Sequence, residues 1–302
     1  MEVRASAVED VKALGPIMQR AYTEFNLSVG IPPSVDFETV EIAEEILHRI
    51  FLSPKSCGIT ALDKASGRPI GAAFLHFVGE SLQQIGPVFV DPAHSKKGVG
   101  KAIMSALIER ANATNAKSIS LVQIAANTKS FSLYAKLGFR PIECVTYFQG
   151  SMNEKLCTWE IKNEEFKVWP MEDSDVRLCS ELHRSVFGHE RETDIHEMFN
   201  VFPADAWVAV KDDILQAYTT GFSFEGHSIA ISEVAFAALF QGVCHQKPNH
   251  SMSIYIPARI YPFLIEWALK GGLQIIRQCW VMAIGQHQTP LPGSIWLPNI
   301  LG

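Results

Sequence analysis

A short glycine-containing loop in the first half of the chain has the residue types and spacing of an anion-binding site. Residues 85–90 have the composition of a buried strand and residues 91–94 break it, after which residues 95–100 lead into an amphipathic helix predicted over Lys101 to Ala111. Free backbone N–H groups and the positive end of a helix dipole meet at such a loop. Because glycines let an anion approach the backbone closely, the pattern predicts a pyrophosphate site. An ordinary tight turn between a strand and a helix is the alternative.

The loop departs from the two common nucleotide-binding signatures. A Walker loop has Lys followed by Ser or Thr after its second glycine, where this chain has Lys101-Ala102. The dinucleotide fingerprint has a third glycine at the position of Ile103. Both departures argue against a P-loop or a Rossmann-type site.

A second motif follows a predicted buried strand at 118–124. It consists of Asn127 and a helix from about Ser130 that carries the run Leu-Tyr-Ala-Lys-Leu-Gly-Phe at 133–139. Together with the loop at 95–100, this motif resembles the GCN5-related N-acetyltransferase (GNAT) superfamily. The loop matches the family pattern Gln/Arg-x-x-Gly-x-Gly/Ala except at its first position, where Ser95 stands.

The resemblance covers residues 1–150 and includes the Gly-Pro-Val-x-Val-x-Pro segment at 86–92. The whole chain also resembles bacterial proteins with two tandem GNAT domains, the second of them degenerate. The resemblance implies that acetyl-CoA lies in a splayed gap between the strands containing Val88 and Ile124, and that no metal takes part. The N–H group of Phe89 or Val90 would stabilise the developing oxyanion. The implied cofactor-binding residues are Val88, Phe89, Val90, Ser95, Lys96, Lys97, Gly98, Val99, Gly100, Lys101, Asn127, Ser130 and Tyr134.

The resemblance also implies direct attack of an amine on the thioester, without an acyl-enzyme. Tyr134 is the candidate general acid, because the pKa of a phenol lies close to that of a leaving thiol. A core aromatic residue at helical spacing is the alternative interpretation of Tyr134. Glu80 and His76 are candidate bases near the expected acceptor side. Asp91 and His94 lie by the loop and are less well placed, and a chain of water molecules is the other alternative. Asn127 either contacts the cofactor or caps the helix that it precedes.

Three weak internal repeats divide the chain. The segment 3–11 is echoed by 168–176, the predicted hairpin over 58–77 by 207–222, and the helix end at 133–139 by 266–273. The predicted organisation is a GNAT domain at 1–150, a linker at 151–165 and a degenerate GNAT-like domain at 166–302. The predicted fold class is α/β (α+β), each domain being a mixed, mostly antiparallel sheet flanked by helices.

The second half lacks the glycine loop, since residues 229–240 contain no glycine. We therefore expect the second half to bind no CoA. Its expected role is to cover the open sheet edge of the first half or to form one side of the acceptor pocket. Its histidines show no metal-ligand spacing, and His183 and His189 are expected to point away from each other on a helix. Prolines exclude a regular helix near the end, where Trp296 and Ile300 are expected to dock onto a domain surface.

Charge and composition narrow the function classes. The net charge of −6 argues against a nucleic-acid partner. The charge is unevenly divided, since residues 1–150 have a net charge of +1 and residues 151–302 a net charge of −7. No apolar run is long enough for a membrane span, and residues 1–4 lack the pattern of a signal peptide, which predicts a cytoplasmic protein.

The sequence thus predicts an acetyl-CoA-dependent N-acetyltransferase that acts on a primary amine, most simply of a small molecule, as a monomer or a homodimer. A catalytically impaired acyl-CoA-binding sensor or scaffold is one alternative. A module that binds partners through its acidic second domain is another.

Overall fold

A computed structural model describes residues 1–79, 82–114, 116–157, 159, 166–287 and 289–300. Glu80 and most of the predicted linker lie outside these described residues. The chain forms two compact units, of which the first is built from residues between Met1 and Arg140 and the second mainly from Pro141 onward. Most of the strand over 140–151, which the predicted boundary assigns to the first domain, therefore belongs to the second unit.

The first unit contains five adjacent strands in chain order. Every neighbouring pair is antiparallel except the last, which is parallel. The strands are β1 Glu2–Ala5, β2 Ser56–Leu62, β3 Pro69–Phe77, β4 Leu82–Val90 and β5 Ser118–Ile124, and the helices are α1 Val11–Ser28, α2 Val40–Leu52, α3 Val99–Asn112 and α4 Thr128–Lys136.

Apolar helix faces cover this sheet. Leu14 and Met18 of α1 and Leu47 of α2 pack with Phe74 of β3 and Phe89 of β4 in one buried cluster. On α3 the fully buried apolar residues recur at helical spacing, as the sequence pattern predicts, and they are Ile103, Met104, Leu107 and Ala111. Burial of such stripes holds each helix against the sheet and fixes the ends of the strands from which the loops emerge.

The second unit contains the element order of the first and three further strands, one before the repeated elements and two after them. Its strands are β6 Arg140–Ser151, β7 Lys167–Pro170, β8 Trp207–Lys211, β9 Ile214–Thr219, β10 Ser228–Ala230, β11 Ser251–Pro257, β12 Gln274–Gly285 and β13 Ile295–Leu297, and its helices are α5 Val176–Phe187, α6 Glu192–Val201, α7 Glu233–Gln246 and α8 Pro262–Lys270.

Two groups of strands build this unit. One sheet has the antiparallel order β13-β10-β9-β8-β7, and a second group has the order β12-β6-β11. Phe236 and Phe240 of α7 and Trp267 of α8 fill the core. Each half thus has a mixed, mostly antiparallel sheet flanked by helices, as the sequence predicts.

Two expectations for the second unit need correction. His183 and His189 do not share a helix, because α5 ends at Phe187 and Gly188 reverses the chain with a φ of +82°. The two imidazole rings consequently lie 4.9 Å apart instead of pointing away from each other. The described residues of the C-terminal tail, 289–300, form no helix, and they add strand β13 to a sheet rather than only resting on a surface.

No described helix combines the length and the apolar character that crossing a membrane requires.

Candidate functional site

The loop between β4 and α3 is fixed by hydrogen bonds at its first residue. The carboxylate of Asp91 accepts the amide of Ala93 at 3.0 Å and pairs with the guanidinium of Arg20 at 2.9 Å. Arg20 lies on α1, so this ion pair connects α1 to the start of the loop. Sequence reasoning missed Arg20, because no local spacing relates it to a loop some seventy residues further along the chain.

The loop presents a run of unpaired backbone N–H groups. Gly98 begins α3 with a φ of +82°, and Lys96 also adopts a left-handed conformation, with a φ of +63°. The first amide of α3 with an intrahelical acceptor is that of Ala102, which donates to the carbonyl of Gly98 at 3.1 Å. Within the described part of the chain, the amides from Lys96 to Lys101 donate no hydrogen bond. Such a run of unpaired N–H groups at a helix start attracts an anion, because the groups and the positive end of the helix dipole point at one place.

The space beside Gly98 is open. A Cβ atom built on Gly98 would meet no heavy atom within 4 Å, whereas one on Gly100 would lie 3.4 Å from Cδ2 of Leu133. Leu133 belongs to α4, so the start of α3 contacts the helix that carries the second sequence motif. The open cradle and the unpaired amides fit a pyrophosphate group. Three exposed lysines add positive charge: Lys96, Lys97 and Lys101.

The strands β4 and β5 separate beside this loop. Their parallel pairing runs only from Leu82 opposite Ser118 to Gln84 opposite Ser120. Although β4 continues to Val90, none of its described residues beyond Gln84 pairs with β5. The edge of β4 that faces β5 is thereby left with unpaired main-chain groups. An extended molecule that contains amides could form hydrogen bonds with them.

The direction of the β4 amides follows from strand geometry. The amide of Asp91 donates to the carbonyl of Ile70 on the β3 side at 2.8 Å. Because successive residues of a strand direct their main-chain groups to opposite sides, the amide of Phe89 also faces β3. The amides of Val88 and Val90 therefore face the open edge. Of the two predicted oxyanion donors, Val90 has the suitable direction, while the side chain of Phe89 lies in the core.

Tyr134 lies on α4 in an apolar setting. Only 7% of the residue is exposed, and its ring contacts that of Phe139 edge to face at 6.0 Å. Burial raises the pKa of the Tyr134 phenol well above its usual value. The described contacts include no hydrogen bond to its hydroxyl group. A phenol that keeps its proton at neutral pH can act as a proton donor.

His76 is held by hydrogen bonds at both ring nitrogens. Nδ1 lies 2.8 Å from Oγ of Ser56, and Nε2 lies 2.6 Å from the carbonyl oxygen of Gly86. Because a carbonyl oxygen only accepts, Nε2 carries the proton and Nδ1 accepts from Ser56. The ring thus joins β2, β3 and β4 next to the register shift between Ala73 and Leu75. A catalytic role for His76 stays a prediction, as does that of Glu80, which lies outside the described residues.

Asn127 acts as the N-cap of α4. Its Oδ1 accepts the amide of Ser130 at 3.1 Å, and Oγ of Ser130 donates to the carbonyl of Asn127 at 3.0 Å. The capping interpretation of Asn127 is therefore correct for this structure, and cofactor contacts of Asn127 and Ser130 stay predictions. Among the described residues, no group of three or more His, Cys, Asp or Glu side chains converges on a possible metal site.

The equivalent helix start in the second unit is closed by the chain itself. α7 follows β10 as α3 follows β4, but Oγ of Ser232 accepts the amide of Ala235 at 3.2 Å. No glycine stands between residues 229 and 240. This side-chain cap occupies an amide that would otherwise face an anion. That the second unit binds no CoA stays a prediction.

Known proteins resemble this chain in part of its sequence and in its fold. Residues 21–139 match the model of the acetyltransferase (GNAT) family. The chain is similar in structure to an acetyltransferase from Pyrococcus horikoshii, with a TM-score of 0.69, 16% identity, and coverage of 94% of this chain and 89% of that chain. No curated protein matches the sequence at a significant level.

Two further solved structures are similar over nearly their whole lengths. A GCN5-related N-acetyltransferase from Sphaerobacter thermophilus has a TM-score of 0.59 and 13% identity, covering 94% of this chain and 95% of that chain. A tandem GNAT protein from the clavulanic acid biosynthesis pathway has a TM-score of 0.58 and 14% identity, covering 94% and 98%. At these identities the similarity establishes the fold alone.

Proposed function

We propose that this protein is an acetyl-CoA-dependent N-acetyltransferase with one active site, in its first unit, because residues 21–139 match the GNAT family model and the whole chain has the fold of tandem GNAT proteins. The observation that carries the proposal is the run of unpaired amides from Lys96 to Lys101 around the open cradle of Gly98. It offers an anionic group several N–H donors and the positive end of α3 at one place.

The open edge of β4 extends this site towards the reacting atoms. The pantetheine arm of acetyl-CoA contains two amides, which are suited to pair with the main chain at Val88 and Val90. When bound, acetyl-CoA supplies the activated acetyl group as a thioester. The amide of Val90 then stabilises the oxyanion that develops as an amine attacks the thioester carbon.

Proton transfer completes the reaction. The Tyr134 hydroxyl donates its proton to the leaving thiolate: it carries that proton at neutral pH and has no described hydrogen bond that competes, although burial makes it a weaker acid than an exposed phenol. The attacking amine loses a proton to Glu80 or to a chain of water molecules. We propose a small molecule with a primary amine as the acceptor.

Calorimetric titration with acetyl-CoA tests this proposal. Gly98→Glu adds bulk and negative charge to the cradle, and Gly30→Glu is the matched control. Gly30 also has a positive φ, +76°, and open space around its Cβ position, but it follows α1. We expect one site per chain in the wild type, loss of binding in Gly98→Glu and retention in Gly30→Glu. Absence of binding at millimolar acetyl-CoA would overturn the proposal.

One observation favours a second candidate, an acyl-CoA-binding sensor without catalysis. Two described base candidates are engaged, His76 at both ring nitrogens and Asp91 with Arg20. A panel of primary amines distinguishes the two functions through the release of free CoA thiol. Binding of acetyl-CoA without thiol release from any amine would favour the sensor, whereas release with one amine would exclude it.

A further inference from the structure

The C-terminal strand β13 covers one edge of β10 in the second unit. Ser228 pairs with Leu297, Ile229 with Trp296 and Ala230 with Ile295, in antiparallel register. By element order β10 is the counterpart of β4. Beyond Gln84, the edge of β4 that faces β5 pairs with no described strand. The tail strand therefore occupies, in the second unit, the kind of strand edge that the first unit leaves open for a ligand.

The tail is held like a bound extended peptide. Ile295, Trp296 and Leu297 are each only 2% exposed. The amide of Trp296 donates to the hydroxyl of Tyr261 at 3.0 Å. The indole ring of Trp296 lies 4.8 Å from the ring of Phe187. Main-chain pairing combined with a buried aromatic anchor is the arrangement by which proteins bind peptides through strand addition.

Contacts at both ends of the tail are also main-chain hydrogen bonds. The amide of Ile300 donates to the carbonyl of Phe224 at 2.8 Å, and that of Leu291 donates to the carbonyl of Val186 at 2.9 Å. Between Leu291 and β13 the chain passes through an exposed turn at Pro292 and Gly293. The segment thus joins the rest of the chain through an accessible turn, while its own residues are buried.

We propose that the edge of β10 is a binding site for an extended peptide, filled by residues 294–300 of the same chain, and that an identical segment supplied by another molecule can replace them. The main chain of β10 supplies the pairing, the ring of Phe187 contacts the indole of Trp296, and the hydroxyl of Tyr261 accepts the amide of Trp296. This inference rests on the second unit alone and is independent of acetyl transfer.

Cleavage at the exposed turn tests this exchange. A site-specific protease sequence inserted between Pro292 and Gly293 of the full chain allows the tail to be severed after folding. The uncut variant should keep the melting temperature of the wild type. After cleavage, we expect the tail to stay with the protein through gel filtration, and a labelled peptide of residues 293–302 to replace it at a peptide excess.

Two control peptides make the result specific. We expect a peptide with Trp296→Ala to compete about tenfold less well or worse, because a buried aromatic anchor dominates such interfaces. A peptide of scrambled order should not compete. Exchange that the scrambled peptide reproduces would contradict the proposal. It would also be contradicted by a severed tail that never exchanges, or by a second unit that unfolds on cleavage and does not refold with added peptide.

Discussion

The hydroxyl of Tyr134 is the single group on which the proposed chemistry depends most directly. Tyr134→Phe removes only that hydroxyl, and the described contacts give it no hydrogen bond to lose. We expect kcat to fall by about a hundredfold or more, as for loss of a general acid. The dissociation constant of acetyl-CoA should stay within about twofold, because the ring remains in place. Steady-state kinetics together with calorimetry check both values, and an unchanged kcat would exclude the acid role.

His76 offers a test that separates a structural role from a catalytic one. His76→Ala leaves the carbonyl of Gly86 without its donor, which should lower the free energy of unfolding by about 1–3 kcal/mol. It should also weaken acetyl-CoA binding, because Gly86 lies on the strand that presents Val88 and Val90. His76→Gln can restore the donor and should recover both properties. A glutamine variant that binds acetyl-CoA normally but releases no thiol would instead identify His76 as the base.

At the level of the elements, local patterns were predictable and non-local pairings were not. The buried stripe of α3 follows from helical periodicity, and the loop before it from glycine and lysine spacing. The separation of β4 from β5 depends on which residues of distant strands pair, which no local pattern records. β13 was not predicted because its three residues are too few for a periodic pattern. Glycine is common just after the last residue of a helix, so Gly188 could have predicted the end of α5.

Two buried histidines and a half-buried one form a cluster where α5 packs near β9 and β10. His183 and His227 are about 1% exposed, and His189 packs against His183. Burial, followed by the positive charge of Arg191, lowers the pKa of all three, that of His189 to about 4. Other groups within this cluster are Asp194, which pairs with Arg191 at 2.7 Å, and Tyr218, whose hydroxyl lies 2.8 Å from Nε2 of His227.

These lowered values predict an acid-sensitive second unit. The unfolded chain, with histidine pKa values near 6.5, binds more protons than the folded chain between about pH 6.5 and 4. The stabilisation is therefore complete above about pH 6.5 and is lost as the pH falls towards 4. Denaturant unfolding followed by tryptophan fluorescence reports this unit, because all six tryptophans lie beyond residue 158.

A substitution at His183 gives the matched control. His183→Asn keeps an N–H donor near the carbonyl of His189, to which Nδ1 of His183 now lies at 2.8 Å, but it cannot titrate. We expect a shallower loss of stability between pH 6.5 and 4 in this variant. Equal slopes in the two proteins would show that His183 does not contribute to the acid sensitivity.

For the molecule as a whole, the two copies of one fold are predicted to divide their tasks. The first copy leaves a helix start and a strand edge open, whereas the second caps its helix with Ser232 and covers its strand with β13. We expect acetyl-CoA to slow hydrogen exchange at 86–101 and not at 226–243. Mass spectrometry of exchanged peptides measures both segments in one sample. Protection at 226–243 would indicate a second acetyl-CoA site and contradict this division.

The uncapped start of α3 has a consequence for the life of the protein in a cell. A side-chain cap typically stabilises a helix by about 1 kcal/mol, and α3 has Gly98 with no capping side chain instead. In the proposed complex a phosphate oxygen takes over this capping role. The free energy of unfolding of the first unit would then increase by RT times the logarithm of one plus the ratio of the free CoA concentration to the dissociation constant, and resistance to proteolysis would increase with it. The abundance of the protein would consequently follow the metabolic supply of its own co-substrate.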